Sequence, residues 1–527
     1  MISKQQALIP RIIIFLLAIW TIVLGIISYM APPSIFPDPS WGFQVMRCME
    51  KGGGFNLLIS PSQENVAKNT AEFLTWWSPG QYLAPYFFKN LFGTNTGQAA
   101  VITITVCQLL GIGGFYALFK KVGFTRLVSA ISVAFIVGQQ FFYIPYSFYN
   151  GGEVLLFAYA GWFLYGCLSF RKISIPMLLF ILLSGWAGFF CKSSMMWIYA
   201  SGLLCLWIRV SYYEKSWWPW IKNGLWMAPP ALLSVASIYF FYLSKGQNPT
   251  SSDHTGLRLA WETLSFPLAS PLLSGFSVDE ITHGLIYHPD GPMFSPVWTI
   301  IILLLLAVLS ITLIMAVVKR VPMRDYKILM LVFYGVSVLF FGYAFLRQLA
   351  ISYEGRHFRI VGLLIIPGAI YLLSQTRFIV YKVAFGLLWA GITVFSLMKL
   401  KNEYEYDRDE AAHGTSGLTQ QFIDQPTLNY IMQQDKQQHN ALFVFISADL
   451  GLEIEHNRFI TLEPIGKDIK IDFEDYTHAG HAGPLYIVLP SDYEEHGRDK
   501  LIMRCFPGYK NFKTLTLTED YTVYSAE

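Results

Sequence analysis

The sequence predicts an α-helical polytopic membrane protein of about 11 transmembrane helices, followed by a C-terminal α/β domain outside the membrane. Three observations predict it. First, 54% of the 527 residues are hydrophobic and only 14% are charged, with a mean hydropathy of +0.42; soluble chains carry roughly 25% charged residues. Second, apolar runs close to the ~20 residues that cross a bilayer recur up to residue 398 and then stop. Third, the charge changes sign near residue 400. Residues 401–527 hold 11 Lys and Arg against 22 Asp and Glu, a net −11, whereas residues 1–400 hold 27 against 13, a net +14.

This composition excludes a soluble enzyme, a disordered chain and a nucleic-acid binder. The 41 Phe, 30 Tyr and 15 Trp suit the aromatic belts of a membrane protein. Six cysteines make no disulfide framework. Cys107, Cys167, Cys191 and Cys205 lie in or at the ends of apolar runs and read as membrane packing residues; a meeting of Cys48 with Cys505 outside the membrane is the lesser alternative.

Eleven spans are expected: 12–30, 98–119, 127–146, 152–170, 173–191, 194–208, 221–243, 296–318, 327–346, 358–374 and 378–398. The first is read as a permanent span, because Ala31-Pro32-Pro33 follows it and no small-residue cleavage site does. Lys and Arg in short loops set the orientation. Lys4, Arg11 and the alternate loops with Lys120, Lys121, Arg126, Arg171, Lys172, Arg209, Lys319, Arg320 and Arg377 all fall on one side, which is therefore cytoplasmic. The expected localisation is the inner (cytoplasmic) membrane, with the N-terminus inside and the acidic tail outside. The membrane domain is 1–400, with outer loops 31–97 and 244–295; the soluble domain is 401–527. Recognition or chemistry on the outer face follows from this arrangement. No Asp, Glu, Lys or Arg stands mid-span, as one would in most proton-coupled transporters.

In the tail, Pro426–Gln438 reads as a helix, and Ala441–Ser447, Arg458–Glu463 and Leu485–Leu489 read as strands. Ser491 is placed to cap a helix over Asp492–Arg504, with Glu494 completing a capping box. Phe512–Thr518 and Tyr521–Ser525 read as the last strands. His478 and His481, in Thr-His-Ala-Gly-His-Ala-Gly, have metal-like spacing, which a glycine-rich loop explains as well.

Four places carry the candidate chemistry. Asp38 stands between Pro37 and Pro39 directly after the first span, so its carboxylate is held rigidly at the membrane surface. It reads equally as a cap for a surface helix over Ser40–Lys51, with Trp41, Val45, Cys48 and Met49 on one face. Glu153 follows the turn Asn150-Gly151-Gly152 at the mouth of the fourth span, where an acid also suits the helix dipole. Trp76, Trp77, Tyr82, Tyr86, Phe87 and Phe88 crowd a Pro/Gly-broken stretch that reads as an interfacial anchor or as a lipid-facing groove, with Lys89 at its end facing lipid phosphate or snorkelling to the surface. Arg356, His357 and Arg359 form a cationic knot at the outer end of the tenth span, with Lys192 at the turn between 173–191 and 194–208 grouped with them. Basic residues there run against the positive-inside trend. Phosphate binding explains them, and pairing of Arg356 with Glu354 is the plainer alternative.

These features together resemble the GT-C superfamily of integral-membrane glycosyltransferases. Its members include protein mannosyltransferases, aminoarabinose transferases acting on lipid A, and transferases acting on lipopolysaccharide cores. The resemblance rests on Asp38 in Phe-Pro-Asp-Pro-Ser-Trp after the first span, on Glu153 between the third and fourth spans, and on Arg-His-Phe-Arg-Ile-Val-Gly-Leu-Leu-Ile-Ile-Pro at the tenth. The first-loop acid is single where many members carry a pair. The resemblance implies transfer of a sugar from a polyprenyl-phosphate donor to a lipid, glycan or protein acceptor at the outer face, with inversion. Asp38 would be the base, with Glu153 assisting it or orienting the acceptor. Arg356, His357, Arg359 and Lys192 would bind phosphate, and Trp76, Trp77, Tyr82 and Lys89 would line the substrate groove. No cofactor or metal is indicated, although a divalent metal is compatible; membrane lipids are partners and nucleic acid is not. The alternatives are a lipid or glycan transporter or flippase, and an O-antigen ligase or polymerase-like enzyme.

Overall fold

A computed structural model describes residues 4–35, 37–246, 256–287, 291, 293–466 and 476–527. In chain order, α1 (Lys4–Met30) leads to β1 (Ser34–Ile35), α2 (Pro37–Glu50), β2 (Leu57–Pro61), β3 (Asn69–Phe73) and α3 (Gly80–Phe92). Then come α4 (Thr96–Lys121), α5 (Arg126–Val137), α6 (Gln140–Ser147), β4 (Phe148–Tyr149), α7 (Gly152–Cys167), α8 (Ile175–Cys191), α9 (Met195–Ser211) and α10 (Trp217–Phe241). They are followed by α11 (Trp261–Gly275), α12 (Val278–Ile281), α13 (Pro296–Arg320), α14 (Arg324–Leu346), a 3₁₀ turn over Gly355–Phe358, α15 (Arg359–Gln375) and α16 (Ile379–Asp409). The last stretch holds β5 (Ala412–His413), β6 (Thr419–Gln420), α17 (Gln425–Gln437), β7 (Leu442–Phe445), β8 (Arg458–Thr461), β9 (Leu485–Pro490), α18 (Arg498–Arg504), β10 (Lys513–Thr516) and β11 (Tyr521–Ala526).

Helices occupy all the expected spans. Among the described residues, seven helices are long and apolar enough to cross a membrane, or eight if α5 and α6 are one span bent by 45°. The bend falls at Gly138, where Trp389 and Thr393 of α16 leave no room for a side chain. The three remaining expected spans coincide with α7, α8 and α9, which have 16, 17 and 17 residues. The chain is an integral membrane protein on these helices.

The chain forms two compact units. The first comprises Met1–Gly25, Ile104–Pro145 and Gly152–Lys401; the second comprises Ile26–Thr103, Tyr146–Gly151 and Asn402–Glu527. The first outer loop, expected to belong with the membrane domain, thus belongs to the unit that contains the tail.

In the first unit the helices approach closely at small residues, as membrane helices do. A Cβ on Gly161 of α7 would meet the Gly114 backbone of α4, and one on Gly275 of α11 would lie 2.7 Å from the Gly362 carbonyl of α15. α11 is an unexpected element. Residues 244–295 read as a loop, yet Trp261–Gly275 is a helix whose Thr263, Phe266, Ala269, Ser270 and Leu273 are buried. Its two internal prolines and three serines hid it. The serines serve packing: Ser274 Oγ donates to the Ser270 and Phe358 carbonyls at 2.7 and 3.0 Å.

The second unit is built on a five-stranded sheet of order β10-β11-β9-β7-β8. β7 runs parallel to both β8 and β9, while β11 runs antiparallel to β9 and β10. Alternate side chains face opposite sides of a strand. Leu442 and Val444 pack with Ile487, Ile502 and Phe506 on one face, and Phe443 and Phe445 pack with Leu428 and Ile431 of α17 on the other. Val66, from the first loop, lies in the first of these cores, with its N–H donating to the Ala479 carbonyl at 2.9 Å. A four-stranded sheet, β4-β1-β6-β5, joins β1 in parallel to both β4 and β6.

Two expectations for this unit are corrected. The helix expected over Asp492–Arg504 is broken, because His496 and Gly497 are left-handed with φ of 63° and 69°. Ser491 makes no cap; it opens a 3₁₀ turn over Ser491–Gly497, and only Arg498–Arg504 is α-helical. The helix α2 is no surface amphipath either: Pro39, Ser40 and all of Gly42–Met46 are buried. All six cysteines are free, Cys48 and Cys505 included.

Candidate active site

The first unit brings most of the expected phosphate-binding residues into one cluster. Glu153 sits in the first turn of α7, placed there by the left-handed Gly151 of the preceding turn. Lys192 is the residue after α8; its extended backbone, φ −160° and ψ 135°, ends that helix and turns the side chain out of the helical path. Its ammonium pairs with the Glu153 carboxylate. Arg356, in the 3₁₀ turn before α15, lies 3.8 Å from the same Glu153 Oε1 and pairs with Glu354. Ser352 Oγ donates to Glu354 Oε1 at 2.7 Å and lies 3.3 Å from His357 Nε2. His357 stacks at a tilt on Phe341, and its buried Nδ1 has no hydrogen-bond partner among the described residues. The cluster therefore holds two cations and two carboxylates, all half-buried.

Glu153 lies between the two cations, Lys192 and Arg356. The Arg356–Glu354 pair, offered as the plainer alternative, is present.

Arg359 does not join the cluster. It is 9% exposed. It pairs with Glu280, donates from Nη1 to the Ser274 carbonyl at 2.8 Å, and lies 4.4 Å over the Phe141 ring. Beside Glu280, Asp279 accepts from the N–H of Gly355 at 2.6 Å and of Leu285 at 3.4 Å. Burial, helped by the neighbouring Glu280 carboxylate, pushes the Asp279 carboxyl up to about 7. Asp279, Glu280 and Arg359 together fasten the Gly355–Phe358 turn that carries Arg356 and His357. Neither acid was singled out in the sequence; an Asp-Glu pair in a long polar loop gives no local signal of pairing with residues 80 positions on.

The second unit holds the other candidates. Asp38 lies in the first turn of α2 and is half-buried. The strand before it is gripped on both sides. Ser34 Oγ donates to the Ser147 carbonyl at 3.2 Å, and Thr419 Oγ1 donates to the Pro32 carbonyl at 2.6 Å. Sheet pairing thus fixes the short strand that precedes α2.

The aromatic stretch divides. Trp76, 37% exposed, and Trp77 form an open pair with rings 5.6 Å apart. Tyr82 is removed from the proposed groove: it is fully buried against Gly42, and its hydroxyl donates to Asn56. Lys89 pairs with Glu50 at 2.7 Å. His478 and His481 stack on Phe506 and Tyr509, which accounts for both rings by packing. Among the described residues no group of three or more His, Cys, Asp or Glu is placed to hold a metal.

The fold is shared with a solved oligosaccharyltransferase. The oligosaccharyltransferase of Archaeoglobus fulgidus in its apo form superposes with a TM-score of 0.51 at 10% identity, over 93% of this chain and 70% of that one. ArnT from Cupriavidus metallidurans bound to undecaprenyl phosphate gives 0.44 at 12% identity, over 97% of each chain. The arabinofuranosyltransferase AftD from Mycobacteria gives 0.42 at 13% identity, over 97% of this chain and 39% of that one. No protein-family model matches the sequence, and no curated protein matches it. What the comparison establishes is the fold, shared with the Archaeoglobus fulgidus oligosaccharyltransferase.

Proposed function

We propose that this chain is a membrane glycosyltransferase that moves a sugar from a polyprenyl-phosphate donor to a lipid, glycan or protein acceptor. The observation that carries the reading is the convergence of Lys192 and Arg356 on Glu153, within a fold shared with a glycosyltransferase. Glycosyl transfer from a lipid phosphate needs positive charge where the phosphate departs. Lys192 and Arg356 supply it. Glu153 and Glu354 hold the two cations in register until a phosphate oxygen takes over their donors. A guanidinium offers a planar fork to two phosphate oxygens, and an ammonium adds a point charge. His357 stands beside Arg356 as a further partner.

The acceptor oxygen attacks the anomeric carbon as the bond to the phosphate oxygen breaks, and that electron pair leaves with the phosphate. One such displacement inverts the anomeric centre. The acceptor proton passes to a general base, which we assign to Asp38 on its place after the first span. The reading puts the protein in the inner membrane with the N-terminus inside and residues 402–527 outside. Arg359 is left out of the phosphate site, since Glu280 and the Ser274 carbonyl occupy it.

The test is Asp38→Asn, assayed with a polyprenyl-phosphate sugar and an acceptor. A general base contributes roughly 10²–10⁴-fold, so transfer should fall by that order while expression and melting stay as in the wild type. Near-wild-type transfer removes Asp38 from the mechanism.

A further inference from the structure

A cavity of about 390 Å³ lies within the second unit, away from every residue assigned above except Lys89. Its size is in the range of small-molecule sites. The charged residues on it are Arg47, Lys51 and Lys89, against Glu50 and Glu455, with His456 beside them. The lining thus carries one more cation than carboxylate, in a unit whose tail has a net −11.

The walls are fixed by buried groups. Arg47 Nη1 donates to the Gly451 carbonyl at 2.9 Å and also to that of Leu452. Asp435, 2% exposed, takes the N–H groups of Glu455, His456 and Asn457 at 2.7, 3.0 and 3.0 Å. Glu453, 1% exposed, holds the opposite wall, accepting from Ser416 N at 3.1 Å, Thr415 Oγ1 at 3.2 Å and Gln420 Nε2 at 2.9 Å. These carboxylates fasten the two loops that carry the lining residues. The cations keep donors in hand. Lys51 uses one of its three N–H groups on the Glu455 carbonyl, at 2.6 Å, and a guanidinium has five. Thr96, Thr415 and the two rim carboxylates add the hydroxyl and acceptor groups that polyols need, over an apolar floor of Phe43, Met46 and Leu452.

We propose that this cavity binds an anionic sugar, a monosaccharide unit bearing a carboxylate or a phosphate monoester. Lys51, Lys89 and Arg47 receive the anion, and Glu50 and Glu455 accept from the ring hydroxyls. The proposal rests on the glycosyltransferase reading only in making that unit part of an acceptor. The binding itself is independent of transfer.

The experiment titrates the full chain in nanodiscs, without donor, with glucuronate, glucose 6-phosphate, glucose and inorganic phosphate. At least one anionic sugar should bind about tenfold or more tighter than glucose and than inorganic phosphate, and the one that does identifies the source of the anion. Lys51→Gln and Lys89→Gln should each weaken it about tenfold, the loss of one charged hydrogen bond, with melting unchanged; Lys51→Arg should retain it. Inorganic phosphate binding as tightly as either sugar would mean an adventitious ion only and overturn the proposal. So would glucose binding as tightly, no binding by either anionic sugar, or wild-type affinity in both Gln variants. The Asp38→Asn enzyme should bind the sugar normally, so a failure of the catalytic reading leaves a distinct result from a failure of this one.

Discussion

Arg356 and Arg359 are three residues apart and face different tasks. Arg359 is buried, with its guanidinium committed to Glu280, to the Ser274 carbonyl and to the Phe141 ring. Arg356 is half-exposed and lies between two carboxylates, Glu354 and Glu153, the second of which it shares with Lys192. A buried arginine whose partners are all fixed is a fastener. A partly exposed one whose partners are side-chain carboxylates can exchange them for another anion. Residue type and spacing made the two arginines equivalent in the sequence; burial and the kind of partner separate them.

The largest expected effect tests the fastener. Glu280→Ala leaves Arg359 charged and unpaired in a buried site, and breaking a buried pair costs about 3–5 kcal/mol. Thermal unfolding of the detergent-solubilised protein should show a marked loss, with Arg359→Ala similar. If both variants melt like the wild type, the contrast between the two arginines fails.

Next comes the exchangeable side. Arg356→Lys keeps the charge but loses the fork, and one charged hydrogen bond is worth about 1.5–3 kcal/mol. Use of the lipid-phosphate donor should weaken roughly 10–100-fold, whichever acceptor is supplied, with little change in melting. Glu354→Gln should be much milder. Should Glu354→Gln prove the more damaging, Arg356 merely steadies its loop and resembles Arg359 after all.

A third effect is a pH slope. The Asp279 carboxyl titrates near 7 in the folded protein against 3.8 ordinarily, so the folded state holds its proton more tightly than the unfolded one. Stability contributed by this group is therefore full below about pH 4 and is lost as pH rises towards about 7. Asp279→Asn should flatten the melting profile across that window. An unchanged slope would show that Asp279 stays ionised while tied to Gly355.

Much of the architecture was legible. Helices stand at all the expected spans because continuous apolar runs need no partner to be recognised. The strands at β7, β8, β9, β10 and β11 announced themselves through β-branched and aromatic residues between turns. The failures share a cause. Tyr82 looked like an interfacial aromatic, but its partners Asn56 and Gly42 lie 26 and 40 residues away. α11 was hidden by Pro267 and Pro271, which its neighbours tolerate. Of the candidate site, Glu153, Lys192 and Arg356 were found by type and position at span ends. Which acid meets which cation was beyond reach, since Asp279 and Glu280 act on residues about 80 positions later and local spacing carries no trace of that.

The short strand β1 has a consequence for how the protein is made. Its neighbours are Phe148–Tyr149 and Thr419, and the hydrogen bond from Thr419 to Pro32 spans 387 residues. Chains emerge at about 5–20 residues per second, so the segment leading to Asp38 waits roughly 20–80 s for its second neighbour to be synthesised. During that interval the edge of β1 is open to pairing with other chains. A translation arrest placed between residues 150 and 419 should leave residues 31–40 sensitive to protease, and release should protect them.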